Sequence, residues 1–296
     1  MRFAIVTHRA GGTNTSLAAR RVDGFDQVCL LDPREALALL RPGDVALGRL
    51  DVRETLDGIE DGLWALSCLA AGRVTVLNPP GALISAHDKL LTARALERAG
   101  LPHPRTEMVR PGNVRPALDL PVVLKPRFGS WGRDVVLCRD RDELARRLTE
   151  LETRPWFEAH GAVVQELVPP LGHDLRIVVA AGRVVGAIKR VAAPGEWRTN
   201  LALGGKRMPI VPPPAACELA LAAAGSIGAD LVGIDLLPAG PGRYYVIELN
   251  GAVDFGIEYS LGADVFDSVL GALAGAVRRE PESSLELPEA GAAAVP

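Results

Sequence analysis

Val122-Val123-Leu124-Lys125-Pro126-Arg127-Phe128-Gly129-Ser130-Trp131-Gly132-Arg133-Asp134-Val135-Val136 reads as a buried strand ending in a lysine, a loop punctuated by glycines, and a second strand. Glycines let backbone N–H groups close over phosphate oxygens, and a lysine at the mouth of such a loop supplies a point charge that burial strips of part of its hydration. The stretch therefore suits a polyphosphate, although the same residue types also make ordinary hairpin loops. Two apolar runs nearer the C-terminus decide between these readings.

Residues 231–237 and 244–250 are those runs, joined by Pro238-Ala239-Gly240-Pro241-Gly242-Arg243, a turn-forming sequence that predicts an antiparallel hairpin. Glu248 and Asn250 are two apart and share a face. Asp235 interrupts the first run in mid-strand, where an unpaired carboxylate is costly. Three oxygen donors gathered this way suit Mg²⁺, or Mn²⁺, completed by nucleotide phosphate and water. The alternative is that Asp235 and Glu248 are edge-strand charges in salt bridges.

With these motifs in their order, the chain resembles the ATP-grasp carboxylate-amine ligases. Its branch is that of the ribosomal-protein-S6 glutamate ligase and of the lysine-biosynthesis ligase acting on an amino-group carrier protein. The resemblance runs from Asn78 to Leu273. It implies an α/β (α+β) ATP-grasp fold behind a Rossmann-like N-terminal domain. The boundaries expected are 1–85 for that domain and 86–280 for the ATP-grasp domain, with a lid lobe at 105–160, a C-terminal lobe at 161–280 and a disordered tail at 281–296. By resemblance, Lys89 of His87-Asp88-Lys89 and Lys125 are the phosphate lysines, and Gly129-Ser130-Trp131-Gly132-Arg133 is the lid loop. Gln165, Glu166 and Leu167 form the strand and hinge that meet adenine, with Glu166 and Leu167 offering backbone groups. Asp174 stands at the ribose position, and Arg198-Thr199-Asn200 matches the family's Arg-Ser-Asn segment with Thr for Ser. Asp235, Glu248 and Asn250 are the metal set.

The implied reaction joins a carboxylate, from glutamate or a related amino acid, to an amine through an acyl phosphate. Phosphoryl transfer asks for positioning and for neutralisation of spreading charge, which Lys125, Lys189, Arg198 and the metal would supply. Arg198 would also hold the oxyanion of the second step. Two alternatives stay open: an ATP-grasp kinase that stops at phosphoryl transfer, and a ligase acting on an amino-group carrier protein. Other nucleotide motifs fail, since Arg207 follows Gly205-Lys206 where a Walker loop needs Ser or Thr. The loop after the first strand also lacks the third glycine of a dinucleotide fingerprint.

The chain has 296 residues, 48% hydrophobic, with a net charge of −3, which gives no footprint for nucleic acid or a membrane surface. The expected protein is cytoplasmic and homo-oligomeric, with an amino acid and an amine-bearing acceptor as partners. Cys29, Cys68, Cys138 and Cys217 are widely spaced and read as buried reduced thiols. Apolar runs at 3–7, 28–31 and 74–77 predict parallel strands, and 34–40 and 56–71 predict helices between them. Arg9, Arg49 and Arg53, at the ends of those strands, are candidates to meet an acidic substrate, and Gly11-Gly12-Thr13-Asn14 is a candidate anion-binding helix start.

Overall fold

The computed structural model describes residues 1–112 and 116–279, so the tail expected at 281–296 lies outside the described residues. The first lobe is a sheet of four parallel strands, β1 (Arg2–Val6), β2 (Gln27–Leu31), β3 (Val45–Gly48) and β4 (Thr75–Leu77), in the order β2-β1-β3-β4. Helices α1 (Gly12–Ala18), α2 (Pro33–Leu39) and α3 (Leu63–Ala71) connect them. Phe3, Ala4, Ile5 and Val6 are buried in succession, as a strand covered on both faces requires. Asp32 starts α2 through a capping box with Glu35. The helix predicted from residue 56 begins only at Leu63. Leu56, Gly58 and Gly62 adopt positive φ, and Val52 bridges Ile59, so this segment folds back as a loop.

Two helices, α4 (Pro80–His87) and α5 (Lys89–Arg98), lead out of this lobe. Asp88 between them leaves the helical region and accepts hydrogen bonds from the N–H groups of Leu90 and Leu91, which places Lys89 in the first turn of α5. The second lobe is an antiparallel sheet of β5 (Thr106–Val109), β6 (Val122–Pro126), β7 (Val136–Cys138) and β8 (Ala162–Glu166), ordered β5-β8-β6-β7. Helices α6 (Arg141–Leu151) and α7 (Pro155–His160) back it. Leu144, Leu148 and Leu151 of α6 fall at helical spacing and bury with Val122 and Leu124.

The third lobe contains β9 (His173–Ala180), β10 (Arg183–Val191), β11 (Lys206–Pro209), β12 (Leu231–Pro238) and β13 (Tyr244–Asn250), antiparallel in the order β11-β10-β9-β12-β13. The β9–β10 turn places Ala181 and Gly182 both at positive φ, as a tight two-residue hairpin turn demands. Helix α8 (Pro214–Ile227) lays Ala216, Ala220, Ala223 and Ala224 against Leu175, Ile177, Val179 and Ile234. The opposite face of the sheet, together with α9 (Val265–Val277), packs onto the first lobe, so that Phe3, Ile5 and Leu47 share one core with Val178, Ala180 and Phe266. Asn78 clamps the same junction: its side-chain oxygen accepts from the N–H groups of Asp230 and Leu231 at 2.9 Å, and its amide donates to the Leu231 carbonyl at 2.7 Å. Towards the end of this sheet the face that is apolar at Val178 becomes charged. Asp174 and Arg176 of β9 stand beside Arg190 of β10 and Asp235 of β12.

Candidate active site

The cleft between the second and third lobes encloses about 890 Å³, open solvent at its mouth included. That is the size of a small-molecule site. One wall is β6, the glycine loop and the segment after β8; the other is the charged end of the third-lobe sheet. Lys125 lies 5% exposed with its ammonium donating to Gln165 Oε1 at 2.5 Å, and Gln165 is held in turn by donating to Thr106 Oγ1. Burial, reinforced by neighbouring Lys89, lowers Lys125 to a pKa of about 8. Lys89 donates to the Gly129 carbonyl at 2.7 Å and meets Glu248 Oε1 at 2.9 Å. Asp88, besides capping α5, takes a forked ion pair from Arg127, so Lys89 projects from a fixed helix start.

The opposite wall is a buried chain of alternating charges. Arg176 grips Asp235 with two hydrogen bonds of 2.7 Å; Arg190 reaches Asp235 at 2.8 Å and grips Asp174, which also accepts from Thr199 Oγ1. Burial alone would raise the Asp235 pKa, but Arg176 and Arg190 outweigh it and hold it at about 2. Arg198 forks onto Glu196, keeping that carboxyl at about 2, and donates to the Val135 carbonyl on the far side of the glycine loop. That loop comes close: a Cβ on Gly132, whose φ is +72°, would sit 2.8 Å from Asn200 Oδ1.

Of the residues singled out from sequence, Lys89, Lys125, Gly129, Ser130, Gly132, Gln165, Glu166, Leu167, Asp174, Arg198, Thr199, Asn200, Asp235 and Glu248 all line this cleft. Lys189 does not. It sits in register with Leu175 and Met208, on the face opposite to Arg190 and Asp174, because strand side chains alternate. Its neighbour Arg190 lines the cleft instead. The N–H of Glu166 is already bonded to the Arg105 carbonyl, and that of Leu167 to Pro121 at 3.4 Å, so these donors are not free for a base. Asp174 spends its oxygens on Arg190 and Thr199 rather than standing open for a ribose.

The N-terminal candidates are also structural. Arg9 is tied to Asp51 and Glu60, and Arg53 to Asp61. Arg49 is fully enclosed, its pKa pushed down by burial to about 10, and bonds Asn14 and the Val253 carbonyl. Gly12 to Asn14 open a seven-residue helix whose Thr13 bonds the Phe255 backbone. Of the four cysteines expected to be buried, only Cys138 is; Cys29 and Cys217 are half-buried and Cys68 is exposed.

Ser130, Arg190 and Asn200 belong at once to the cleft and to a second, adjoining chamber of about 620 Å³, open solvent at its mouth included. Asp51, His87, Arg176, Arg207, Asn250 and Tyr259 are among the residues that line it. His87 is enclosed, and burial lowers its pKa, so the ring is neutral at pH 7.

Residues 86–273 match the family described as the RimK-like ATP-grasp domain, and they contain every residue of the cleft. The chain belongs to the RimK-like ATP-grasp family. Similar proteins include the tetrahydromethanopterin:α-L-glutamate ligase of Methanosarcina acetivorans, 33% identical over 69% of this chain and 68% of that protein. Another is the glutamate–LysW ligase ArgX of Sulfurisphaera tokodaii, 31% identical over 72% of this chain and 78% of the relative. The D-alanine–D-alanine ligase of Bacillus anthracis solved with ATP superposes with a TM-score of 0.68 at 17% identity, covering 94% of this chain and 98% of that one, a likeness of fold. The protein is an ATP-dependent carboxylate-amine ligase of the ATP-grasp class, which works with ATP and a divalent metal.

Of the three donors expected of a metal, Glu248 and Asn250 could turn to one, whereas both oxygens of Asp235 are already taken by Arg176 and Arg190. Asp235 and Glu248 oppose each other in register, and among the described residues Asn250 Nδ2 is buried without a hydrogen-bond partner. Turning that amide over puts its oxygen there instead, as a cation requires. From sequence, Arg176 stands out only as the last residue of Asp174-Leu175-Arg176, and neither it nor Arg207 is given a role in the site. Arg176 was readable from its two-residue spacing from Asp174. Arg207 had no signal beyond its place after a glycine pair.

Proposed function

We propose that this ATP-grasp ligase activates the carboxylate of glutamate or a related amino acid as an acyl phosphate and passes it to an amine-bearing acceptor, which is a small molecule, a peptide or a carrier protein. The observation that carries the assignment is the pair of joined chambers. A kinase needs room for a nucleotide and one acceptor, whereas a ligase must hold two substrates beside the nucleotide, and a second polar chamber shares Ser130, Arg190 and Asn200 with the cleft.

In this scheme Lys89 and Lys125 hold the polyphosphate, and Gly129, Ser130 and Gly132 close over it. Gln165 aims Lys125, and the segment of Glu166 and Leu167 flanks the base. Glu248 and Asn250 would hold Mg²⁺, which screens phosphate charge when bound. As the carboxylate attacks the γ-phosphate, charge spreads over the phosphoryl oxygens, and Lys125 and Arg198 neutralise it. When the amine then attacks the acyl carbon, Arg198 stabilises the oxyanion before phosphate leaves. Arg190 replaces Lys189 in this account: it fixes Asp235 and Asp174 and brings a guanidinium to the boundary between the chambers.

The relative that acts on LysW favours a carrier-protein acceptor as the second reading. The test is ADP release with Mg²⁺ and ATP against a matrix of amino acids and amines, with mass detection of the adduct. A ligase releases ADP only when both a carboxylate and an amine are present. ADP release with one substrate alone, giving a stable phosphorylated product, would make the protein a kinase.

A further inference from the structure

Three polar side chains form a row across three adjacent strands of the second lobe. Thr106 of β5 stands directly opposite Gln165 of β8, and Lys125 of β6 is paired two residues further along β8, so all three share one face of the sheet. Lys125 and Gln165 line the cleft, whereas Thr106 does not. Their hydrogen bonds all run the same way. Lys125 Nζ donates to Gln165 Oε1 at 2.5 Å, Gln165 Nε2 donates to Thr106 Oγ1 at 2.8 Å, and the Thr106 hydroxyl donates to the Pro104 carbonyl at 2.9 Å.

The direction of this chain is fixed from its far end. A carbonyl can only accept, so the single proton of the Thr106 hydroxyl is committed to Pro104 and its lone pairs are what face Gln165. The Gln165 amide therefore turns its nitrogen to Thr106 and its oxygen to Lys125. Reversed, it would aim N–H groups at an ammonium that has only donors, and both side chains are 5% exposed or less, too deep for water to relieve the conflict. Donors that run head to tail also polarise one another, which makes the oxygen facing Lys125 a better acceptor. Without the hydroxyl, Gln165 Nε2 is left buried short of an acceptor, which is costly. The amide then turns over or swings to another acceptor, and in either case Lys125 loses its fixed oxygen.

We propose that Thr106, from outside the cleft, is a positioning residue for nucleotide phosphate: by fixing the orientation of the Gln165 amide it sets where the Lys125 ammonium stands at the cleft wall. The inference rests on the reading of Lys125 as a phosphate lysine. The same hydroxyl also tightens the entry to β5, where the Arg105 carbonyl accepts from the Glu166 N–H. A purely structural role would therefore act on the hinge whatever stands at residue 125, whereas positioning acts only through Lys125.

The experiment is calorimetric titration of the full chain with a non-hydrolysable ATP analogue at saturating Mg²⁺. It compares the wild type with Thr106→Val, Thr106→Ala, Thr106→Ser, Lys125→Met and the double variant of Thr106→Val with Lys125→Met. Valine keeps the branched shape and the strand preference of threonine, and alanine removes the hydroxyl a second way. The expected result is affinity weaker by about three- to tenfold in Thr106→Val and Thr106→Ala, near the wild type in Thr106→Ser, and no weaker in the double variant than in Lys125→Met alone. Wild-type affinity in both Thr106→Val and Thr106→Ala, an equal loss in Thr106→Ser, or a loss that persists undiminished in the Lys125→Met background overturns the positioning role and leaves Lys125 a phosphate lysine. Unchanged affinity in Lys125→Met refutes the phosphate-lysine reading itself, and the relay with it, so the two failures are distinct.

Discussion

Asp235 and Glu248 stand directly opposite each other on β12 and β13, yet each carboxylate is neutralised by cations from a different part of the molecule. Asp235 is gripped within its own sheet by Arg176 and Arg190, whereas Glu248 is met by Lys89 from α5. The two carboxylates are therefore each compensated, and they are unequal. Asp235 belongs to a closed, buried lattice of charges; Glu248 is held by a single lysine.

Substitution should expose that inequality. Asp235→Asn leaves two buried guanidiniums short of an anion and should destabilise the fold by about 3–5 kcal/mol. Glu248→Gln breaks a partly exposed pair and should cost about 1 kcal/mol or less, while abolishing Mg²⁺-dependent ADP release. Urea denaturation beside a Mg²⁺ titration of turnover separates the two; equal stability losses would show that the lattice is not what holds Asp235.

Lys125 makes nucleotide affinity dependent on alkaline pH. Its folded pKa of about 8 lies below the ordinary 10.5, so the lysine loses its proton, and its attraction for phosphate, as pH rises through 8. ATP affinity should fall across that range in the wild type and stay flat in Lys125→Met, whose affinity at pH 7 should be lower by roughly ten- to hundredfold. The stability effect has the opposite sign. Between pH 8 and 10.5 the unfolded chain still holds this proton and the folded one does not, so this group stabilises the fold as pH rises.

Neighbours on one strand should behave in contrasting ways. Lys189→Ala, on the face away from the cleft, should leave turnover and stability within about twofold, as surface substitutions do. Arg190→Met strips Asp174 and Asp235 of a shared partner and should lower stability by about 3 kcal/mol or more together with activity. Loss of turnover in Lys189→Ala at unchanged stability would return that lysine to the mechanism.

Arg198→Lys keeps a charge but loses the planar fork that holds two oxygens. ATP binding should persist, amide formation should fall on the order of a hundredfold, and slow ADP release by hydrolysis of the trapped acyl phosphate should remain. Calorimetry of ATP beside mass detection of product checks it. Amide formation at the wild-type rate would leave Arg198 as a tie between Glu196 and the Val135 carbonyl only.

Much of this was legible because strand periodicity is local. The hairpin of Asp235 and Glu248, the lysine at the end of β6 and the glycine loop come from alternation and turn chemistry within a few residues. The choice between Lys189 and Arg190 was not, because alternation says that adjacent residues face opposite ways but not which face looks inward; that depends on β9 and β12 lying alongside. Arg9 and Arg49 looked like substrate ligands for a similar reason. Only the folded chain reveals that Asp51, Glu60 and the Val253 carbonyl already occupy them. The helix expected from residue 56 failed because a left-handed Leu56 and two positive-φ glycines override its apolar spacing.

The core that the first and third lobes share, pinned by Asn78, sets the gauge of the second chamber, whose Asp51 comes from one lobe and whose Arg207 comes from the other. With those two jaws solidified into one block, the span between them is fixed when the chain folds, independently of the second lobe that carries Lys125 and the glycine loop.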